Sequence, residues 1–280
     1  MVACSTLKLS YNNAEWLLAR ALNSYFDLDD AQAAQARSRV RALLVWHRQT
    51  QLAPYAQLIT DAAQLIQHPV SDADVIELIQ RMNTKFAELG LQAAPALAKL
   101  LLTLNSSQIA RWERKQAESA AELRDELLEV DNDSKAKKPR IRWYKTRAKF
   151  WFGSVTPQQM AIMRTITGTR PVGEMWWISE RERRQREFVE LLNRLHNERP
   201  STDEAAQWIQ TYIDQLISPP DPERHVALLQ FRHSNATLVA QLVNAATLAQ
   251  RQSLTKKLRG YVEDLMALAQ FAPKEIGVRF

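Results

Sequence analysis

Val155-Thr156-Pro157-Gln158-Gln159-Met160 gathers the signals of a helix start into six residues. The Thr156 hydroxyl can accept from an orphan backbone N–H, and Gln159, three residues on, can reach back to the cap. Pro157 occupies the first helical position, where its missing N–H is no loss. Val155 and Met160 stand where a hydrophobic staple needs them. The pattern recurs along the chain: Asp29 with Gln32 follows Leu28, and Asn105 with Gln108 follows Leu104 and precedes Ile109. Ser71 with Asp74, Ser201 with Glu204 and Thr247 with Gln250 are looser versions. Between these starts the apolar spacing is helical, with Val40, Leu43, Leu44 and His47 on one stripe, Val75, Ile76, Leu78, Ile79, Met82 and Phe86 on a second, and Leu238, Leu242, Ala245 and Ala249 on a third. The pattern predicts an all-α protein.

In order, the six starts form two triplets: Asp29, Ser71, Asn105, and Thr156, Ser201, Thr247. Each is introduced by an aromatic pair and a small or acidic residue, Tyr25-Phe26-Asp27 and Trp151-Phe152-Gly153. We read two similar helical halves, as an internal duplication or as chance likeness among helices, packed as a multi-helix bundle or an elongated helical array. Residues 1–10 read as an N-terminus and tether, 11–133 as one half and 134–280 as the other. Expected breaks fall at Gln67-His68-Pro69, Gly90 to Pro95, Gly168 to Gly173, Arg199-Pro200 and Ser218 to Pro222, with a kink at Pro54. Asp131 to Pro139 is the expected link between halves.

Composition agrees. Six glycines in 280 residues, with 46% hydrophobic residues, suit helices with a sizeable core. The net charge of +6 comes from intermixed acids and bases, which points to a mildly basic surface and away from a nucleic-acid stripe. No stretch approaches the roughly 18 consecutive apolar residues of a spanning helix, so membrane contact would require an anchor. Cys4, the single cysteine, sits in Met1-Val2-Ala3-Cys4-Ser5, where small residues precede the thiol as they do at lipoprotein processing sites. No apolar signal-peptide core precedes it in this sequence.

Tyr11-Asn12-Asn13-Ala14-Glu15-Trp16-Leu17-Leu18, Tyr25-Phe26-Asp27-Leu28, Gln32, Trp46-His47-Arg48 and Leu52-Ala53-Pro54-Tyr55, together with Cys4, resemble a family of uncharacterised proteobacterial lipoproteins. Trp151-Phe152-Gly153, Thr156-Pro157-Gln158-Gln159 and Arg181-Glu182-Arg183 extend the likeness over most of the chain. The resemblance implies a lipidated Cys4 and a helical periplasmic body, and it brings no assigned activity. Ser5 after the cysteine would favour the outer membrane under the usual sorting rule.

Catalytic and metal motifs are missing: there is no HExxH, no cysteine pair, no G-x-S-x-G and no glycine-rich phosphate loop. The five histidines lack ligand spacing, with His225 and His233 eight residues apart. No cofactor, metal or catalytic residue is expected. Trp46-His47-Arg48 could titrate near neutrality, but a core tryptophan beside a satisfied histidine is the simpler reading.

The suggestive stretch is Lys135 to Phe152, where Lys137, Lys138, Arg140, Arg142, Lys145, Arg147 and Lys149 interleave with Trp143, Tyr144, Phe150 and Trp151. Cations with aromatics can meet phosphates or an anionic leaflet, or simply pack inward with solvated charges. Trp176 and Trp177, adjacent and so unable to share one core face from one helix, join Lys137, Lys138, Arg140, Arg142, Trp143 and Tyr144 as partner-binding candidates. Glu180 with Arg184 and Glu182 with Arg186 mark a solvent-facing helix.

The functional expectation is a lipid-anchored helical binding or scaffold protein, in one version chaperone-like. Its partners would be the bilayer, through Cys4, and an envelope protein or polymer; nucleic acid is not expected. The alternative is an envelope polymer or lipid hydrolase that draws carboxylates such as Glu15, Asp27 or Glu174 together.

Overall fold

A computed structural model describes residues 6–130, 137–139 and 141–270. Twelve α-helices lie among the described residues, so the fold is all-α. They are α1 (Thr6–Asn12), α2 (Ala14–Phe26), α3 (Asp30–Thr50), α4 (Leu52–Leu65), α5 (Asp72–Leu101) and α6 (Ser106–Leu127), then α7 (Ile141–Phe152), α8 (Pro157–Thr169), α9 (Glu174–Glu198), α10 (Thr202–Ile217), α11 (Pro222–Asn244) and α12 (Leu248–Gln270). A short antiparallel ribbon, β1 (Leu128–Val130) with β2 (Lys137–Pro139), flanks residues 131–136, the centre of the expected link, which lie outside the described residues.

The capping chemistry places the helices as read. Asp29, Ser71, Asn105 and Thr156 form reciprocal boxes with Gln32, Asp74, Gln108 and Gln159. Thr247 with Gln250 is reciprocal too, whereas Ser201 only accepts from the Glu204 N–H. Four of these box residues do a second job, because a buried amide must have partners. Gln32 and Gln108 lie side by side: the Gln108 amide donates to Gln32 Oε1 at 2.6 Å and to the Asp27 carbonyl, while that of Gln32 donates to the Thr103 carbonyl. Gln159 and Gln250 form a similar pair after the ribbon, with Gln250 donating to Gln159 Oε1 at 3.0 Å and to the Ser154 carbonyl, and Gln159 to the Leu242 carbonyl. The lead-ins match as well. Phe26 and Phe152 are buried, and Asp27 and Gly153 both adopt left-handed backbone, with φ of 56° and 80°.

Helices that precede the ribbon in sequence pack on helices that follow it. α6 lies along α9, α12 along α4, and α5 along α10 and α11. One core joins Phe26, Ala98, Leu104 and Ile109 to Leu192, Leu195, Ala205 and Ile209; another joins Ile66, Val70 and Val75 to Phe152, Met163, Leu242 and Leu254.

Two expected breaks are corrected. Gly90 to Pro95 is not a turn; α5 runs unbroken through both. Gly90 is there because α10 crosses at that point: a Cβ on Gly90 would stand 2.6 Å from Ile213 Cγ2. Ala93, Ala94 and Ala98 continue the small-residue face. The break near Pro54 lies at Gln51 instead, between α3 and α4, and Pro54 sits in the first turn of α4, where a missing N–H costs nothing. Met82 and Phe86 also depart from the second stripe's expected burial, being 45% and 43% exposed.

Two glycine substitutions separate helix propensity from close approach. In Gly260→Ala, on α12, the new methyl meets nothing within 4 Å, so stability should rise by about 0.5–1 kcal/mol. Gly90→Ala has the same propensity gain but drives a methyl into a stiff β-branched side chain, so its stability should fall by about 1–2 kcal/mol. Urea unfolding midpoints check both; a rise in each would remove the close crossing.

Candidate functional site

The first turn of α9 sets up the site. Glu174, its first residue, is buried, and its carboxylate accepts from the Tyr144 hydroxyl on α7 and from Arg170 Nη2. Arg170 Nη1 donates in turn to Asn235 on α11. Burial raises the Tyr144 pKa, against the lowering effect of Arg170, so the phenol remains a proton donor.

One and a half turns on, Glu180 is only 3% exposed. Arg183 donates to it through Nε and Nη2, both at 2.8 Å, and Arg184 through Nε at 2.8 Å. Arg224 of α11 stands 3.5 Å away, and Arg183 also pairs with Glu187. Burial alone would raise the Glu180 pKa; the arginine hydrogen bonds outweigh it and bring it down to about 2. The expected solvent-facing pair of Glu180 and Arg184 is thus corrected: it is buried between α9 and α11. Glu182 pairs with Arg124 of α6, which faces it across the α6–α9 contact.

The supply of arginine exceeds the demand. Arg170, Arg183, Arg184, Arg224 and Arg232 accompany Glu174, Glu180 and Glu187, and Arg184 Nη2 and Arg224 Nη2 are buried without a hydrogen-bond partner. Arg232 donates to the Ile217 carbonyl and, among the described residues, has no carboxylate partner. Burial lowers its pKa, and the neighbouring Arg184 charge lowers it further.

Arg184 and Arg232 face a cleft of about 330 Å³ between α5, α9, α10 and α11. It exists because α10 stops at Ile217, before the Pro219-Pro220 break, while the apolar stripe of α5 continues past it through Ile79, Met82 and Phe86. Ile79, Phe86, Leu216, Leu228 and Phe231 form apolar walls, and no carboxylate among the described residues lines it. Trp177 closes one side, its ring parallel to that of Phe231 within 1° at 5.4 Å between centroids.

The candidates from the sequence divide. Trp177 lines the cleft, and both tryptophans lean on Phe231, which corrects the expectation that they cannot share one core face; α11 inserts one ring that both can reach, while Tyr144 bonds Arg170 and Glu174. Trp143 packs with Leu127, Leu128, Ile178 and Trp177, under the Arg147 guanidinium at 3.4 Å. Arg142 points into solvent. Of Lys137 and Lys138 the structure describes the backbone alone, paired with Val130 and Glu129, and Arg140 and Cys4 lie outside the described residues. Glu15, Asp27 and Glu174 stand in the first turn of α2, at its C-cap and at the start of α9, with Glu15 held by Arg41. His47 is half-buried, accepts from or donates to the Tyr11 hydroxyl at 2.8 Å, and has its pKa lowered by burial, as a packed histidine should.

The sequence reading missed Arg170, Arg224, Phe231 and Arg232. Composition gave no signal of the arginine surplus, since α9 itself carries six glutamates and five arginines; nothing local marks Arg232, because its importance arises from α5 and α9 opposite.

Acid should loosen this region. An unfolded glutamate protonates near 4.3, whereas Glu180 in the fold holds its charge down to about 2. Its contribution is therefore complete above about pH 4.3 and is lost as pH falls toward 2. Glu180→Gln should lower stability by about 3–5 kcal/mol, because the arginines lose their buried counter-charge, and should flatten the acid limb of stability against pH. Equal acid sensitivity in the variant and the parent would contradict this.

Comparison with curated proteins and with solved structures gives no match. A family model does match, over residues 24–219, which run from the end of α2 through α10 and include the α5, α9 and α10 walls of the cleft. The chain belongs to DUF6279, a family of unknown function.

Proposed function

We propose that the protein is a binding or scaffold lipoprotein on the periplasmic face of a bacterial outer membrane, tethered by an acylated Cys4 and holding an envelope protein or polymer. One observation carries this reading: a single stripe of α12 gathers the basic aromatic surface and the segment that leads to Cys4. Lys257, Tyr261, Asp264 and Leu268 recur at helical spacing and so share that stripe. Lys257 lies 4.4 Å from the Phe150 ring, Tyr261 packs on Trp151, Asp264 pairs with Lys8 of α1, and Leu268 packs with Leu7 and Tyr11.

Phe150 is 52% exposed, and Lys145 and Lys149 beside it face solvent. Lys8 lies about 10 Å from Lys257 along the helix axis, and Cys4 is four residues further. An exposed aromatic among lysines suits the headgroup region of an anionic leaflet, and one acyl chain holds more firmly when a basic surface adds its attraction. Trp16, 57% exposed on α2, adds a second interfacial aromatic on the N-terminal helices. No helix among the described residues is long and apolar enough to cross a membrane, so the proposed attachment depends on the acyl chain. The resemblance of Cys4 and its neighbours to lipoprotein processing sites supports the same reading.

Expressed from its own gene in its own cell, the protein should take up a fatty-acid label and fractionate with outer membrane, and Cys4→Ala should abolish both. Lys149→Glu with Lys257→Glu should keep the label but release more protein than the parent at low salt, the two converging in high salt, where screening removes the attraction. Absence of label in the parent would remove the tether; label with low-salt release equal to the parent's in the double variant would keep it and remove the basic face.

A further inference from the structure

We propose that the cleft between α5, α9, α10 and α11 binds a single-chain anionic amphiphile, its carboxylate or phosphate head between Arg184 and Arg232 and its hydrocarbon chain along Ile79, Phe86, Leu216, Leu228 and Phe231. This site is separate from the α12 face and does not depend on acylation of Cys4.

The head position follows from charge. Two guanidiniums on α9 and α11 face one cavity, no acid among the described residues lines it, and neither spends its full set of donors on the protein: Arg184 donates through Nε to Glu180, and Arg232 through Nη2 to the Ile217 carbonyl. Two like charges on one cavity repel, and burial followed by the Arg184 charge lowers the Arg232 pKa. An oxyanion between them would accept from both and replace repulsion with two charge-assisted hydrogen bonds. Asn83 and Asn235 add amides to the same lining.

The chain follows from the walls. Apart from the two arginines and two asparagines, the lining is aliphatic or aromatic. A bare inorganic anion would leave those walls in water, and a neutral hydrocarbon would leave the guanidiniums unpaired. About 330 Å³ is near the low end of the roughly 300–1,000 Å³ of small-molecule sites, room for one slender chain and not for a packed helix. The partly exposed Phe86 on α5 gives the chain an apolar exit. Trp177 and Phe231 add two aromatic rings to that apolar lining.

The test uses the full chain carrying Cys4→Ala, so that failure of the tether cannot be mistaken for failure of this site. Dodecanoate, dodecyl phosphate, dodecyl maltoside and inorganic phosphate are titrated below their micellar concentrations by calorimetry, with tryptophan fluorescence in parallel. The expected result is saturable one-to-one binding of dodecanoate or dodecyl phosphate, at least tenfold tighter than dodecyl maltoside or inorganic phosphate. Whichever of the two anions binds tighter supports the site and assigns the head as carboxylate or phosphate. Arg232→Gln should weaken binding at least tenfold, and Ile79→Trp, which fills the cleft and leaves both arginines, should abolish it; circular dichroism confirms that both variants fold. Equal affinity for dodecyl maltoside, equal affinity for inorganic phosphate, no saturable binding, or binding unaffected by Ile79→Trp would each overturn the proposal.

Discussion

A carboxylate buried at 3% exposure sets the terms for the middle of this protein. Glu180 is costly to desolvate, and the fold meets that cost with hydrogen bonds from Arg183 and Arg184 and the nearby charge of Arg224. Because Arg224 belongs to α11 and the other two to α9, the same ion cluster joins those helices. Arginine is suited to the task, since its planar fork can satisfy a carboxylate with one edge and project the rest elsewhere. What it projects is surplus positive charge, and the helix break after Ile217 leaves a cleft open beside it. The structural need to neutralise one buried acid and the proposed capacity to receive an anion thus have a common origin.

The helix starts were legible because capping is local: a threonine or aspartate and a glutamine three residues on declare a boundary without reference to the rest of the chain. That four of those glutamines also meet in buried pairs was not legible, since Gln32 finds Gln108 only when α3 and α6 begin at the same level. Gly90 and Pro95 show the opposite failure. Both are breakers by propensity, yet the approach of Ile213 makes glycine necessary and the packed length of α5 carries the proline. Tertiary packing overrides local preference where two helices cross closely.

The candidate site divides along the same line. Of the aromatics that stood out, Trp177 lines the cleft, while Trp176 leans on Phe231 and Tyr144 holds Glu174 and Arg170. Glu180 and Arg184 were visible as an i,i+4 pair, but spacing could not say which face of α9 they occupy. Arg232 and Phe231 carry no local signal at all; α11 is apolar on several sides because it touches α5, α8 and the Trp176 and Trp177 rings. Periodicity identifies a helix with one buried face far better than a helix buried on several.

In the proposed account, the α12 face holds the protein to a leaflet and the cleft receives an amphiphilic anion, two capacities on different helices of one fold. The most direct test of the second, central claim observes the guanidiniums themselves. With ¹⁵N-labelled arginine, the Nε–H signals of Arg184 and Arg232, assigned by single substitutions, are followed during titration with dodecyl phosphate. The account predicts that these two shift together and saturate at one common constant, while Arg41 and Arg194, held by exposed glutamates on other surfaces, stay in place. A uniform drift of all four signals, or no movement at Arg184 and Arg232, would contradict it.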